Sequence, residues 1–407
     1  MNRQILRPNN RSHHRFLGFT MTPRVTVAFG LAAVILLLGA YATIVRFFAG
    51  LGASTNLNDL APWGLWIGFD VMSGVALAAG GFVIAATVHV FHLRRFEPLL
   101  RPAILTAFLG YLLVVFGLLY DLGQPWRIWH ALIYWNPHSV LFEVAWCVMC
   151  YTAVLALEFA PVVFERLRVP RARRILRTIS VPLIILGITL STMHQSSLGS
   201  MFLIFPDKLR PIFYSPIMPL LFFVSAVAVG LAMVTVESIV SAAARKSAPH
   251  MDLLNEVGRA TAIVLLTYAV IKVADVALRG AWSTLAPLDW FGAVWISELL
   301  LLVLLPAALL LNRRVRSSRW SLLAAQFLVV TGVIANRINL AVPQLVAANL
   351  GSYSPSWMEI AVTVALVTAG VVAFSLATKH LPVFASGDGE SAPSSMHAIG
   401  DKEFVQV

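Results

Sequence analysis

The sequence predicts an all-α integral membrane protein with about ten transmembrane helices. Its 407 residues are 59% hydrophobic and only 12% charged, and the mean hydropathy is +0.81. A soluble globular domain has about 25% charged residues, so this chain has too little polar surface to fold in water. Ten apolar runs are each long enough to cross the roughly 30 Å hydrocarbon core of a bilayer. These observations exclude a water-soluble fold.

Each predicted helix corresponds to one apolar run in a membrane domain that covers residues 25–380. A basic segment at residues 1–24 precedes the first run, and no small-residue cleavage motif closes that run, so we predict a retained helix. The polar tail at residues 381–407 is predicted to be disordered. The runs cover residues 25–49, 63–91, 103–120, 139–161, 178–200, 215–240, 258–279, 291–311, 320–341 and 357–378.

The basic residues between the runs predict the orientation. Arginine clusters follow the second, fourth, sixth and eighth runs, whereas the alternate loops contain few basic residues. Because lysine and arginine are enriched in cytoplasmic loops, we predict a bacterial inner-membrane protein with both termini in the cytoplasm. The net charge of +11 then reflects topology and not nucleic-acid binding. The densest cluster follows the fourth run and comprises Arg166, Arg168, Arg171, Arg173, Arg174 and Arg177.

Cysteine and histidine positions limit the cofactors that this chain is expected to hold. Two cysteines, Cys147 and Cys150, are too few for a four-cysteine zinc or iron–sulfur site, so we expect no metal in this chain. A haem b needs paired histidines deep on facing helices. His89 and His194 fall at opposite ends of their predicted helices, and most other histidines lie in loops or tails. We therefore also expect no haem.

Ionisable side chains inside the predicted spans are the candidate catalytic residues, because a charge in hydrocarbon is costly. Asp70, Glu143 and His194 fall at similar depth near the periplasmic ends of helices 2, 4 and 5. Apolar walls with a histidine or carboxylate near each carbonyl are what binding and protonating a quinone requires. We predict these three as catalytic. The residues expected to bind the quinone are Trp63, Trp66, Asp121, Trp126, Trp129 and His130.

Each of these candidates also has a structural interpretation. The tryptophans are equally typical of an aromatic belt at the membrane interface. Asp121 is close enough in sequence to Arg127 for a loop salt bridge, and Glu143 could be an interfacial carboxylate that faces water. His194 could bond a helix carbonyl. Asp70 lies deepest, which makes a purely structural role hardest to accept for it.

A second set of ionisable residues lies in later helices. Lys272, Asp275 and Arg279 share one face of helix 7, a spacing that favours mutual neutralisation. Glu237, near the cytoplasmic end of helix 6, and Glu298, in helix 8, are candidates for a proton path, as is Asp275. The rival function is a secondary transporter, whose charged site would lie near the bilayer midplane and open to both sides.

Six motifs along the chain occur together. They are Pro62-Trp-Gly-Leu-Trp66, Asp121-Leu-Gly-Gln-Pro-Trp-Arg-Ile-Trp-His130, Pro137-His-Ser139, Ser191-Thr-Met-His-Gln-Ser-Ser-Leu-Gly-Ser200, Asn336-Arg-Ile-Asn339 and Tyr353-Ser-Pro-Ser-Trp-Met-Glu359. These motifs resemble the NrfD/polysulfide-reductase family of membrane subunits. The resemblance extends over about residues 20–380 and is greatest to the branch in hydrogenase-2 type complexes (HybB-like), with the 191–200 block as its most specific part.

The resemblance implies an architecture, a cofactor set and partners. It implies two four-helix bundles (helices 2–5, residues 63–200, and helices 6–9, residues 215–341) flanked by helices 1 and 10. It implies a menaquinone or ubiquinone site in the first bundle, no haem, and Glu237 on a cytoplasmic proton path. The implied partners are a periplasmic ferredoxin-like subunit with four iron–sulfur clusters and a catalytic subunit, with a NiFe hydrogenase favoured. The expected function is thus electron transfer between that partner and the quinone pool, with coupled proton transfer.

Overall fold

The structure is a computed structural model that describes residues 15–16, 19–20, 23–285, 288–348 and 351–384. Within these ranges ten helices are long and apolar enough to cross a membrane, which confirms the predicted all-α membrane fold. Most of the predicted basic amino terminus and disordered tail lies outside the described residues. The ten helices, numbered α1–α10, are Thr26–Ala49, Trp66–Val90, Arg94–Asp121, Val140–Leu167, Ser180–Leu203, Met218–Arg245, Met251–Leu278, Trp290–Leu311, Arg319–Ala348 and Trp357–His380.

Short elements connect these helices. Two-residue strands, Arg15–Phe16 and Phe19–Thr20, pair antiparallel ahead of α1. The nine-residue helix Pro170–Thr178 joins α4 to α5. The remaining connecting helices and 3₁₀ turns are Leu51–Ser54, Pro125–Arg127, His130–Ile133, Pro206–Lys208, Ala281–Leu285 and Arg313–Ser317.

Two of the spanning helices contain π-helical segments that include a buried acid. In α2 this segment is Trp66–Ser73, and its buried acid is Asp70. In α8 the segment is Glu298–Leu304, and its buried acid is the first residue, Glu298. Such segments are rare and occur frequently at functional sites. Near the middle of α2, a Cβ on Gly230 of α6 would lie 2.9 Å from the Gly80 nitrogen, so only glycine permits this backbone contact.

The packing places α2 and α6 centrally and α1 and α10 at the periphery. In the most apolar stretch of α2, 78% of the residues are buried inside the protein, whereas the corresponding share is 11% in α1 and in α10. The helices α1 and α10 pack against each other. The helix α6 contacts α2, α5, α7 and α9, and α9 also contacts α2. The grouping into two separate four-helix bundles therefore stays a prediction.

Candidate functional site

His194 lies at the centre of the candidate site, with one ring nitrogen bonded and the other unpartnered. The side chain is fully buried in α5, and its Nδ1 lies 3.0 Å from the Tyr111 hydroxyl of α3. The Tyr111 ring is itself held edge-on against Tyr151, with 4.6 Å between centroids. The Nε2 atom has no hydrogen-bond partner among the described residues. Buried polar atoms are almost always bonded, which makes this nitrogen a candidate contact for a ligand.

Glu143 reaches the same part of the site through a serine of α5. Its Oε1 lies 2.6 Å from the Ser197 hydroxyl. Because Ser197 follows His194 by three residues, the two side chains lie on the same face of α5, about one turn apart. Glu143 is half-buried in the first turn of α4, where the positive end of the helix dipole favours a carboxylate. The structure thus brings together two of the three predicted catalytic residues.

Asp70 is buried nearby but makes a separate contact. The Thr363 hydroxyl of α10 donates to its Oδ2 over 2.6 Å, and Gly117 of α3 packs against its Cβ. Among the described residues, no hydrogen bond links Asp70 to His194 or Glu143. The helices α2 and α5 are nevertheless joined, because Gln195 Nε2 donates to the Val75 carbonyl over 2.9 Å. Asp70 therefore faces α3 and α10, while His194 and Glu143 lie between α3, α4 and α5.

The predicted quinone-binding aromatics separate into buried anchors and exposed loop residues. Trp66 is buried, and its Nε1 donates to the Glu359 carbonyl over 3.2 Å, which anchors α2 to α10. Trp63 packs against Phe202 with 6.3 Å between centroids. In contrast, Trp126 is 65% exposed and Trp129 is 48% exposed.

His130 packs on Trp129 in the same surface loop, at 4.3 Å between ring centroids. None of Trp126, Trp129 and His130 has a described hydrogen bond or ring contact with His194 or Glu143. Their role in quinone binding stays a prediction.

Asp121 is held at the end of α3 and does not form the salt bridge considered from the sequence. Its Oδ1 is buried without a partner, and no ion pair with Arg127 occurs among the described residues. Instead, the buried Arg46 of α1 donates to the carbonyls on either side of it, Tyr120 at 2.6 Å and Leu122 at 2.5 Å. Arg46 thereby ties α1 to the loop that follows α3.

The candidate proton-path residues of the later helices differ in their partners. Asp275 is bonded to Arg279 at 2.7 Å, which confirms part of the predicted neutralisation on α7. Lys272 pairs instead with Glu298 of α8, at 3.7 Å, so this part of that prediction is wrong. Spacing along the sequence identifies neighbours on one helix only. The long side chain of Lys272 reaches across to the facing helix α8 instead. Glu237 of α6 has both carboxyl oxygens buried without a partner.

Sequence reasoning missed the hydroxyl partners of the predicted residues. Tyr111, Ser197 and Thr363 each lie within an apolar run, where a single hydroxyl barely changes the hydropathy. Tyr111 offered a signal, because a tyrosine buried in mid-span needs a partner for its hydroxyl. The other two offered none, since small hydroxyl residues in membrane helices usually bond their own backbone.

Comparison with known proteins places the chain among membrane subunits of redox complexes. The profile of the family "Polysulphide reductase, NrfD" matches residues 53–348. A "Probable Ni/Fe-hydrogenase 2 b-type cytochrome subunit" of Escherichia coli (strain K12) is 31% identical over 375 residues, covering 90% of this chain and 94% of the relative.

Two relatives come from Nitratidesulfovibrio vulgaris (strain Hildenborough). One, named only as a protein, is 40% identical over 370 residues, covering 87% of this chain and 93% of the relative. The other, named "Menaquinone reductase, integral membrane subunit", is 29% identical over 378 residues, covering 85% and 88%.

One of these relatives overturns the expectation of a haem-free protein. The Escherichia coli relative is named as a b-type cytochrome subunit, so the expected absence of haem is wrong as a deduction from the sequence. That deduction considered only histidine pairs within this chain and ignored an axial ligand from a partner subunit. Among the described residues His194 is the only buried histidine, so they supply at most one of the two imidazole ligands that a b-type haem needs.

Proposed function

The chain belongs to the NrfD family of polysulphide reductase membrane subunits, and from this premise we propose that it is the quinone-reactive membrane subunit of a respiratory oxidoreductase complex. Relatives named as subunits of a hydrogenase and of a menaquinone reductase support this proposal. The observation that carries it is the buried, unpartnered Nε2 of His194, one helical turn from the Glu143–Ser197 contact. The carbonyl oxygen of a quinone would accept the hydrogen bond that the Nε2–H group of His194 does not make within the described residues.

In this proposal His194 bonds one carbonyl oxygen of the quinone through Nε2 and transfers a proton to it during reduction. Quinone reduction takes two electrons and two protons, and the electrons come from a partner subunit. The Tyr111 hydroxyl fixes the orientation of the imidazole by holding Nδ1 at 3.0 Å. A positioned acid of this kind contributes about 10²–10⁴-fold to proton transfer. Tyr111 acts as a positioning residue.

Glu143 and Asp70 supply protons to the site by separate routes. Glu143 is half-exposed at the start of α4, so it exchanges protons with water and passes them through Ser197 towards His194. Asp70 is almost completely buried and, among the described residues, is bonded to the neutral Thr363 alone, so it changes protonation state without leaving an opposite charge unpaired. In the reverse direction the same groups accept the protons released when the quinol is oxidised.

The depth of the site favours the quinone function over secondary transport. A transporter site lies near the bilayer midplane and opens to both sides. Glu143 lies in the first turn of α4 and Asp70 near the start of α2, and these two helices begin on the same side of the membrane. A site displaced towards one face suits exchange of electrons with a partner docked on that face.

We assign the arginine-rich side of the membrane to the cytoplasm, as the basic loops indicate. Both termini then lie in the cytoplasm of a bacterial cell, and the His194 site lies towards the periplasm. The partners in this proposal are a periplasmic ferredoxin-like subunit with four iron–sulfur clusters and a catalytic subunit, with a NiFe hydrogenase favoured. A reporter that works only in the cytoplasm should be active when it is fused after Lys246. A reporter that works only in the periplasm should be active when it is fused at Pro137.

The decisive test is the variant His194→Ala in the assembled complex. Turnover with a quinone analogue should fall by about 10²–10⁴-fold, because the proton donor is lost. Activity of the catalytic partner with an artificial dye should be unchanged, because that reaction bypasses the membrane. His138→Ala removes an exposed histidine from the loop before α4 and is the matched control. Wild-type quinone turnover in both His194→Ala and Glu143→Gln would contradict the proposal and favour the transporter.

A further inference from the structure

A groove lies on the arginine-rich side where α4 turns into the connecting helix Pro170–Thr178. The turn is made by Arg168, which ends α4 in the left-handed conformation with φ of 56°. The groove has a volume of about 430 Å³. Phe164, Val169 and Pro170 form its apolar wall, and the side chains of Arg168, Arg173 and Arg174 supply its polar lining.

The positive charge of this groove exceeds the acidic charge that faces it. Glu165 is the acid in the lining, and it is bonded to Arg173 at 2.9 Å and to Arg101 at 3.4 Å. Arg168 and Arg174 have no acidic partner among the described residues, and both are exposed. Two guanidinium groups therefore point to an anionic ligand, and guanidinium is well suited to bidentate bonds with phosphate oxygens.

The surroundings of the groove indicate that the ligand also has an apolar part. Leu167, Ile175 and Val181 are each more than 60% exposed beside it. They lie at the end of α4, in the connecting helix and at the start of α5, which are the ends of two spanning helices on the arginine-rich side. An anionic headgroup next to apolar chains is the chemistry of a phospholipid, and basic pockets between helices at this level bind such headgroups.

We propose that this groove binds the phosphate of an anionic phospholipid, with Arg168 and Arg174 contacting the phosphate oxygens and the Phe164–Val169–Pro170 wall contacting the glycerol region. The proposal does not depend on the quinone function. The lipid occupies the angle between the end of α4 and the connecting helix, at the opposite end of α4 from Glu143.

The test compares lipid retention by the full chain purified from a mixture of phosphatidylglycerol and phosphatidylcholine. Native mass spectrometry of the wild type should show preferential retention of phosphatidylglycerol. In Arg168→Ala/Arg174→Ala the preference should fall by roughly twenty-five-fold, since each arginine near an anionic lipid contributes about fivefold. The control Arg313→Ala/Arg314→Ala removes the same charge from another turn on the same side and should keep the wild-type ratio. Arg168→Lys/Arg174→Lys should keep most of the preference, which separates loss of charge from misfolding.

Other outcomes would overturn the proposal. An equal loss in both alanine pairs would indicate a general surface-charge effect instead of a site. Displacement of phosphatidylglycerol by inorganic phosphate at equal concentration would identify a free-phosphate site. The segment 385–407 carries four acidic residues and follows residues bonded near the groove, since Arg166 donates to the His380 carbonyl. If removing this segment raises phosphatidylglycerol retention by the chain with Arg168 and Arg174 intact, the tail and not a lipid occupies the groove of the full chain.

Discussion

Two buried polar regions of the membrane domain hold their acids in different ways. In the hydroxyl region (Asp70, Glu143 and His194), each acid contacts a neutral hydroxyl at 2.6 Å. Neither acid forms an ion pair with a described residue. In the ion-pair region (Lys272, Asp275, Arg279, Glu298 and Arg337), each acid faces a cation.

Within the ion-pair region, Glu298 has more partners than either acid of the hydroxyl region has. Glu298 lies 3.7 Å from Lys272 and accepts hydrogen bonds from Asn336 at 3.1 Å and Asn339 at 3.0 Å. The buried Arg337 donates to Ser225 at 2.6 Å. These contacts join α6, α7, α8 and α9.

The difference between hydroxyl partners and cationic partners determines whether an acid can gain a proton without leaving a buried charge unpaired. A proton added to Asp70 or Glu143 leaves no counter-charge unpaired, whereas a proton added to Glu298 leaves Lys272 buried without its anion. Removing one partner of a buried pair is strongly destabilising, because the remaining charge has no compensation. We therefore expect the hydroxyl region to carry the chemistry and the ion-pair region to hold α6–α9 together. The predicted roles of Glu298 and Asp275 in a proton path are tested by the same comparison.

The largest expected effect is on stability, from Lys272→Met. This change leaves Glu298 buried without its cation and should lower the free energy of unfolding by about 3–5 kcal/mol. The double variant Lys272→Met/Glu298→Gln should recover much of the loss, because it removes both charges and keeps a side-chain acceptor for the Asn336 and Asn339 amides. Thermal or denaturant unfolding of the purified protein measures both. A stable Lys272→Met variant that has lost quinone turnover would show that the ion-pair region takes part in proton transfer.

The next effect is on turnover, from Asp70→Asn. The amide oxygen still accepts the Thr363 hydrogen bond, so the shape is kept and only the ionisation is lost. Quinone turnover should fall by about a hundredfold or more, while the unfolding free energy changes by no more than about 1 kcal/mol.

Thr363→Val is the companion variant, because it removes the hydroxyl and keeps the acid. It should retain more turnover than Asp70→Asn does. Wild-type turnover of assembled Asp70→Asn at every pH would assign this residue to structure alone.

The smallest effect is expected from Tyr111→Phe. Loss of the hydroxyl frees the His194 ring and should reduce quinone turnover by roughly tenfold, with a stability loss of about 1 kcal/mol. Tyr268→Phe is the matched control, because this tyrosine of α7 belongs to the ion-pair region. Its ring centroid lies 5.7 Å from the Lys272 ammonium nitrogen. Equal turnover losses in the two phenylalanine variants would remove the functional distinction between the regions. Steady-state rates with a quinone analogue provide the measurement.

The spanning helices were predictable because membrane insertion depends on composition over about twenty residues. The predicted run at residues 63–91 corresponds to Trp66–Val90, and that at residues 215–240 to Met218–Arg245. The ionisable candidates were predictable because each charged side chain within a membrane span is costly by itself, whatever its partner. Their partners were not, since Thr363 is 293 residues from Asp70 and no local pattern encodes that contact. Nor does hydropathy distinguish an exposed Trp126 from a buried Trp66.

The bond between Thr363 and Asp70 also has a consequence for biogenesis. At synthesis rates of about 5–20 residues per second, the separation of 293 residues takes roughly 15 to 60 s to synthesise. Throughout that interval Asp70 is already in the polypeptide while its hydrogen-bond donor has not been made. The hydroxyl region is therefore completed only when the last helix inserts. A chain that stops before α10 lacks the Thr363 donor, so its Asp70 has lost the one hydrogen-bond partner described for it.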